Sequence, residues 1–466
     1  MTLPSSSPRQ LMSTAGLAVI ISTGIFSLDG CGENAAPSTA GPGGSGGNGG
    51  SPSAGGGGNA GTTGGGGNGG GAPEGGPVDS ATTPIDSGGI GPLGGTPTRP
   101  QLTPAQAADH TLLKYLERAG PLTALVTDNW DPTAGAGDVT TFTPQYRVAA
   151  SGGTHTTVAA AVEAAVTGGG TSRIYIALAE GTYRETICVP SAAPPITLYG
   201  TNPDPAATVI VNDHYSGKPK ANGESANPCN ANLTGTTYGT SGSATFAAYG
   251  KEFHAKNLTF SNDTDESAVS ASGGLQAVAL MTQGDKLVFD NVRVLGNQDT
   301  LYVKSPGTGI VTRAYFKNCY VEGDVDFVFG RGTFVLDGCE IKYLGTRVST
   351  GSGNVVGPST DARNAYGILI INSKLTAEGA PAGTAYLGRS WDEGAGDLAG
   401  YTAAVAMGVY PNGQVLVRDS VLDAQVRPMD PWRAAATTNR PYSSTAGTYP
   451  GNRLYEFNNT GPGAAQ

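Results

Sequence analysis

Between Ala255 and Leu422 one six-residue phrase keeps returning: an apolar residue, one free position, a turn-type residue, two further positions, then an apolar residue. It reads Phe289 to Val294, Phe316 to Val321, Leu336 to Ile341, Ile370 to Leu375 and Val417 to Leu422, with a weaker copy from Ala255 to Phe260. Its third position holds Asn291, Asn318, Gly338, Asn372, Asp419 and Asn257. These residue types suit a left-handed or bridging backbone, and the flanking alternation suits short strands, so each copy reads as strand, sharp bend, strand. Repeated at irregular intervals, such units predict the coils of a parallel β-helix with variable loops on one side. An antiparallel sandwich would also use short alternating strands, but the two-residue hairpin signals it needs are scarce.

Two stretches break the strand pattern. Thr103 to Ala119, with Pro104 near its start and Gly120 after its end, carries helix start and stop signals. Thr156 to Val166 is rich in alanine with apolar positions at helical spacing, and it is expected to cover one open end of the solenoid. The fold expectation is all-β: a right-handed parallel β-helix with an N-terminal helical cap.

The first hundred residues follow other rules. Arg9 precedes a mostly apolar run from Leu11 to Leu28, which Ser13, Thr14, Ser22 and Thr23 interrupt; a spanning helix needs about twenty predominantly apolar residues. Residues 1–30 therefore read as an export signal. Its end, Ser27-Leu28-Asp29-Gly30-Cys31, resembles a bacterial lipoprotein box in which Cys31 is lipidated, although Asp29 departs from the usual small or apolar residue there. Glycine dominates from Gly41 to about Gly76 and leaves almost no apolar area to set against chain entropy. Residues 31–100 are accordingly expected to be a flexible linker and 101–466 the folded domain. The expected location is the outer membrane or cell surface, with the protein held through Cys31, or otherwise the exterior as a secreted protein.

A formal charge of −10 speaks against nucleic acid or anionic lipid as a partner. It does not exclude a polyanionic substrate. Four cysteines, Cys188, Cys229, Cys319 and Cys339, fall in the part expected to fold, enough for two disulfides in any of three pairings.

Four stretches carry chemistry: Gly274-Leu275-Gln276-Ala277-Val278-Ala279-Leu280, Gly296-Asn297-Gln298-Asp299-Thr300-Leu301, Gly323-Asp324-Val325-Asp326-Phe327-Val328-Phe329-Gly330 and Leu387-Gly388-Arg389-Ser390-Trp391. Asp326 stands in an otherwise apolar strand, where a carboxylate is costly unless paired. Asp299 follows Gln298 after the apolar run Leu287 to Leu295, and taken alone reads as a turn residue. If adjacent coils bring the two together, like charges cannot both ionise easily, which splits them into an acid and an anion.

In content and order these stretches resemble the pectin methylesterase family, as does Gly181-Thr182-Tyr183-Arg184-Glu185 upstream. The resemblance spans roughly residues 145–426 and implies hydrolysis of the methyl esters of pectin with no cofactor or metal. It implies that Asp326 is the nucleophile and Asp299 the general acid and base, that Gln276 and Gln298 donate to the oxyanion, and that Arg389 orients Asp326. Trp391, Val325, Phe329, Gln276 and Arg389 would contact the sugars. In bacterial members a cysteine pair flanks the nucleophile, which implies Cys319 with Cys339 and leaves Cys188 with Cys229. Ser390 stands where the family commonly has proline, and Ser305-Pro306-Gly307-Thr308-Gly309 is an extra turn.

Polysaccharide lyases and polygalacturonases share such solenoids, so fold alone does not decide. No calcium-ligand cluster or strong base of the lyase kind is present. A serine hydrolase is disfavoured too, since there is no Gly-x-Ser-x-Gly elbow and His110, His155, His214 and His254 lie in no motif. Three further readings stay open: an acyl thioesterase or an enzyme restricted to oligogalacturonides, both of which the tether with the Ala206 to Ser243 insertion would suit, and a non-catalytic glycan-binding surface protein. The protein is expected to act as a monomer.

Overall fold

The computed structural model describes residues 91–221, 224–230, 234–269, 273–345 and 353–465. The expected signal segment, Cys31 and most of the expected linker lie outside the described residues.

The chain winds into a right-handed parallel β-helix. A typical coil runs Arg313–Lys317, bends, continues as Tyr320–Gly323, turns, and enters Val325–Gly330. The first two faces count together as one 18-stranded sheet because His254–Asn262 and Leu287–Leu295 run straight through the bend. The third face is a seven-stranded sheet of Ile187–Val189, Phe246–Ala248, Leu280–Thr282, Leu301–Val303, Val325–Gly330, Asn354–Pro358 and Tyr386–Gly388, parallel throughout. Phe246, Phe260, Phe289 and Phe316 follow one another along the interior, the last two stacked nearly parallel with centroids 4.6 Å apart.

The bend is where the sequence speaks most directly. Asn257, Asn291, Asn318, Gly338, Asn372 and Asp419 all have left-handed φ, between 48 and 65°. Their side chains bond from coil to coil, as where Asn291 donates to Asn257 Oδ1 at 2.9 Å and Asn372 to Asp337 Oδ1 at 2.9 Å. Asn458, in the last coil, repeats the conformation with φ 51° and was not among the expected positions.

Both ends of the solenoid are closed. Helix α3, Val158–Gly168, buries Val158, Ala161, Val162 and Ala165 against the first coils. Its first turn is capped by Glu185, whose carboxylate accepts from the N–H groups of Val158 and Ala159 at 2.9 Å each, so the upstream Gly181 to Glu185 stretch serves the cap. At the far end the hairpin of Gly94–Thr96 and Arg99–Gln101 pairs in parallel with the last coil strand, Arg453–Phe457. Arg99, 3% exposed, clasps Glu456 with two bonds of 2.7 and 2.8 Å. This corrects the expected domain boundary: residues 94–100, placed in the linker, belong to the fold, because the last coil would otherwise leave an unpaired edge.

The expected helix from Thr103 to Ala119 is also corrected. It is two short helices, α1 (Pro104–Ala108) and α2 (Leu112–Leu116), followed by a strand, Arg118–Pro121. Thr111 breaks the run by taking an extended conformation and capping α2 at Lys114 N. The two helices lie on the outer face of the sheet, where Leu102, Ala107, Tyr115 and Leu116 bury Val288, Tyr315, Val335, Leu369 and Leu416, one outward residue from each of five successive coils. The extra turn has a use here: it leads into Ile310–Val311, which pairs antiparallel with Arg118–Pro121 and docks the N-terminal segment.

The cysteine pairing differs from the expectation in one half. Cys188 and Cys229 form a disulfide, whereas Cys319 and Cys339 are buried free thiols. The two thiols occupy the same position in successive coils, flanked by the ladder pairs Lys317 with Asp337 and Tyr320 with Glu340. Stacked parallel strands lie about 4.8 Å apart with side chains pointing the same way, whereas a disulfide draws its Cβ atoms to about 3.8 Å. Cys339 Sγ instead accepts from Cys319 N at 3.3 Å, the first rung of an internal ladder in which Ser373 accepts from Cys339 N at 3.0 Å and Ser420 from Ser373 N at 3.1 Å. Burial pushes the Cys319 thiol well above its ordinary pKa, which disfavours the thiolate that oxidation requires.

Candidate active site

The seven-stranded sheet and the turns that enter it bring the four chemical stretches together. Ala277 N donates to Gln298 O at 3.0 Å, and Asp299 N donates to Val325 O at 3.0 Å, so Gln276, the Gln298-Asp299 pair and Asp326 sit on three successive coils. The next coil passes Gly357, and the one after it carries Arg389, whose N–H donates to Val356 O at 3.0 Å.

Both aspartates have left-handed backbones, φ 66° at Asp299 and 47° at Asp326. Aspartate tolerates this better than most residues. At Asp326 the cause is visible: the register against Asn354–Pro358 slips between Val325 and Val328, a bulge. A bulge turns one side chain out of the alternation and re-aims it. The turn before Asp299 is fixed by Thr300 Oγ1, which donates to Asn297 O at 3.0 Å, and by Asn297, which donates to Thr264 O at 2.9 Å. Glu266 Oε1 accepts from Gln298 N at 3.2 Å.

Asp326 and Asp299 are 1% and 0% exposed. Arg389 reaches Asp326 through its planar fork: Nη2 donates to Oδ2 at 2.7 Å, and Nε lies 3.1 and 3.2 Å from the two oxygens. A buried carboxylate is thereby paired with a planar, always-charged partner. Gly357 lies on the coil between them, where a Cβ would stand 3.4 Å from Asp326 Cβ and 3.3 Å from Phe329 Cβ. That glycine was not singled out in the sequence; it belongs to no recognisable stretch.

Gln276 is 6% exposed, and Gln298 and Val325 are half-buried at the same place. Two expected sugar contacts, Phe329 and Trp391, show little open surface. Phe329 is fully buried and stacks on Tyr302 at 4.2 Å, on the outward side of its strand, while Val328 beside it joins the interior core. Trp391, 3% exposed, leans on both rings at 5.8 and 6.1 Å and forms one cluster with Val278 and Met281. It braces the Arg389 turn and offers almost no open face. Ser390 does not loosen that turn: fully buried, it accepts from Asn452 Nδ2 at 2.9 Å. Beside it Arg440 grips Asp392 with bonds of 2.9 and 3.0 Å. Among the described residues no three or more His, Cys, Asp or Glu side chains converge as a metal site would need.

An aspartate paired with arginine and a second aspartate on the adjacent coil of a parallel β-helix form a site fitted to a carbohydrate esterase. The pectinesterase family profile matches residues 146–407. The pectinesterase of Ralstonia nicotianae is 45% identical over 372 residues, 79% of this chain and 92% of its own. The structure of rice weevil pectin methyl esterase superposes with a TM-score of 0.67 at 31% identity, covering 80% of this chain and 99% of that one. YbhC of Escherichia coli gives the same TM-score at 30% identity, covering 80% and 98%. The chain belongs to the pectinesterase family, the enzymes that de-methylesterify pectin.

Proposed function

We propose that this protein hydrolyses the methyl esters of pectin with Asp326 as nucleophile and Asp299 as general acid and base. One observation carries the assignment: Arg389 holds Asp326 by its fork while the other carboxylate stands on the adjoining coil. The ionised Asp326 attacks the ester carbonyl; Gln276 and Gln298 donate to the oxyanion that forms. Asp299 gives its proton to the departing methanol, leaving an anhydride on Asp326. The same carboxylate then takes a proton from water, which attacks the anhydride and releases the free uronate.

Methanol release from highly esterified pectin, run beside an acyl-thioester substrate, tests the reading. YbhC, whose name proposes acyl-CoA thioester hydrolysis, is 31% identical over 408 residues, below the 45% of the Ralstonia pectinesterase, so turnover of pectin should dominate. Thioester turnover without methanol release would reverse the conclusion.

The enzyme is proposed to act as an exported monomer, anchored through lipidated Cys31 to the outer membrane, with the glycine-rich tract as a tether. The support is the lipoprotein-like end of the signal segment. Cells fed labelled palmitate should label the protein, and Cys31→Ser should release it in soluble form; an unlabelled parent protein would refute the anchor.

A further inference from the structure

We infer that the Ser216-Gly217 segment of the insertion between Ala206 and Ser243 is a positioning element for Gln276. The inference rests on the role given to Gln276 above. Gln276 lies in none of the described strands, the nearest, Leu280–Thr282, beginning four residues later. On one side the Gln298 coil supports it, through Ala277 N to Gln298 O at 3.0 Å. On the other side the insertion takes the place of a neighbouring strand: Ser216 N donates to Gln276 O and Gly217 N to Gly274 O, both at 2.8 Å.

The fit between the two segments is close enough to exclude side chains. A Cβ on Gly217 would stand 2.3 Å from Gly273 O, and one on Gly274, whose φ is 59°, would stand 2.9 Å from Gly217 N. The insertion is itself fixed from behind. Gly239 N donates to Ser216 O at 2.9 Å, and the fully buried Tyr238 stacks on His214 at 4.0 Å. Buried Asn227 donates to Ile187 O and Ala244 O at 2.9 Å each, and the Cys188–Cys229 disulfide ties the segment to the first strand of the seven-stranded sheet. This packing makes the segment a rigid rail along the backbone of Gln276. An oxyanion donor is effective only when its position is set before the charge forms, so a displacement of this backbone should cost turnover and not substrate affinity.

Gly217→Ala tests it on the intact enzyme. The expected result is a fall in kcat of roughly 10- to 100-fold with KM little changed and a cooperative melt retained. Gln276→Ala should lose roughly 10²- to 10³-fold, and the Gly217→Ala/Gln276→Ala double variant should be no slower than Gln276→Ala alone, because both changes act through one side chain. If Gly217→Ala fails to fold, Gly274→Ala, with the looser approach, takes its place in the same comparison. A folded Gly217→Ala or Gly274→Ala enzyme at parental kcat beside an impaired Gln276→Ala enzyme would overturn the positioning role alone, as would multiplying losses in the double variant. Parental kcat in Gln276→Ala would instead overturn the role of Gln276 and the inference with it.

Discussion

Asp326→Asn should slow methanol release by roughly 10⁴-fold or more, the scale on which removal of a covalent nucleophile is felt. Asparagine accepts the left-handed φ of 47° as readily as aspartate does, and the two side chains are nearly the same size, so the bulge should persist. The carboxylate is what disappears. A neutral amide cannot attack the ester, and its NH₂ group opposes at least one of the donors that Arg389 directs at Oδ1 and Oδ2. Leaving that guanidinium partly unpartnered should cost about 1–3 kcal/mol, visible as a lower melting temperature in a still cooperative transition. Arg389→Lys should also be severely impaired with the nucleophile present, since one ammonium cannot reproduce the fork. The measurement is methanol formed per enzyme at saturating pectin, and a folded Asp326→Asn protein near parental turnover would remove the nucleophile from the mechanism.

For Asp299→Asn the expected loss is of similar order, roughly 10⁴-fold, but its signature differs. Methanol is a poor leaving group unless protonated, and water is a poor nucleophile unless deprotonated, so one residue serves both half-reactions. Asparagine keeps the backbone bond from residue 299 to Val325 O and tolerates the φ of 66°. Melting should therefore stay closer to the parent than in Asp326→Asn, where an ion pair is broken. Turnover within tenfold of the parent, in protein of unchanged melting temperature, would show that the proton comes from elsewhere.

The bends were legible because they are local. Left-handed φ at Asn291, Asn318 or Asn372 is a property of that residue type on a short stretch of chain, and six copies of one phrase with few hairpin signals favour stacked coils. One ion pair was legible for a related reason. Asp326 is a charge in an apolar strand, and Arg389 supplies the partner such a charge demands. What the four stretches could not convey was exposure. Trp391 and Phe329 look the same on paper whether they face a groove or a core, and here Tyr302 and each other bury them.

By itself, then, the sequence determined the solenoid, its bends and the four stretches that meet at the aspartates, since each follows from residue-level preferences acting over a few neighbours. Tertiary structure alone decided the rest. Cys319 and Cys339 fall in equivalent places of stacked coils, and it is the spacing of parallel strands that keeps them apart, while the insertion carries Cys229 to Cys188. Residues 94–101 become a strand pair only because the last coil offers them an edge. Arg389 meets Asp326 only because their strands stack with a single coil, that of Gly357, between them. Contacts of this kind depend on which coil lies upon which, and no window of sequence contains that information.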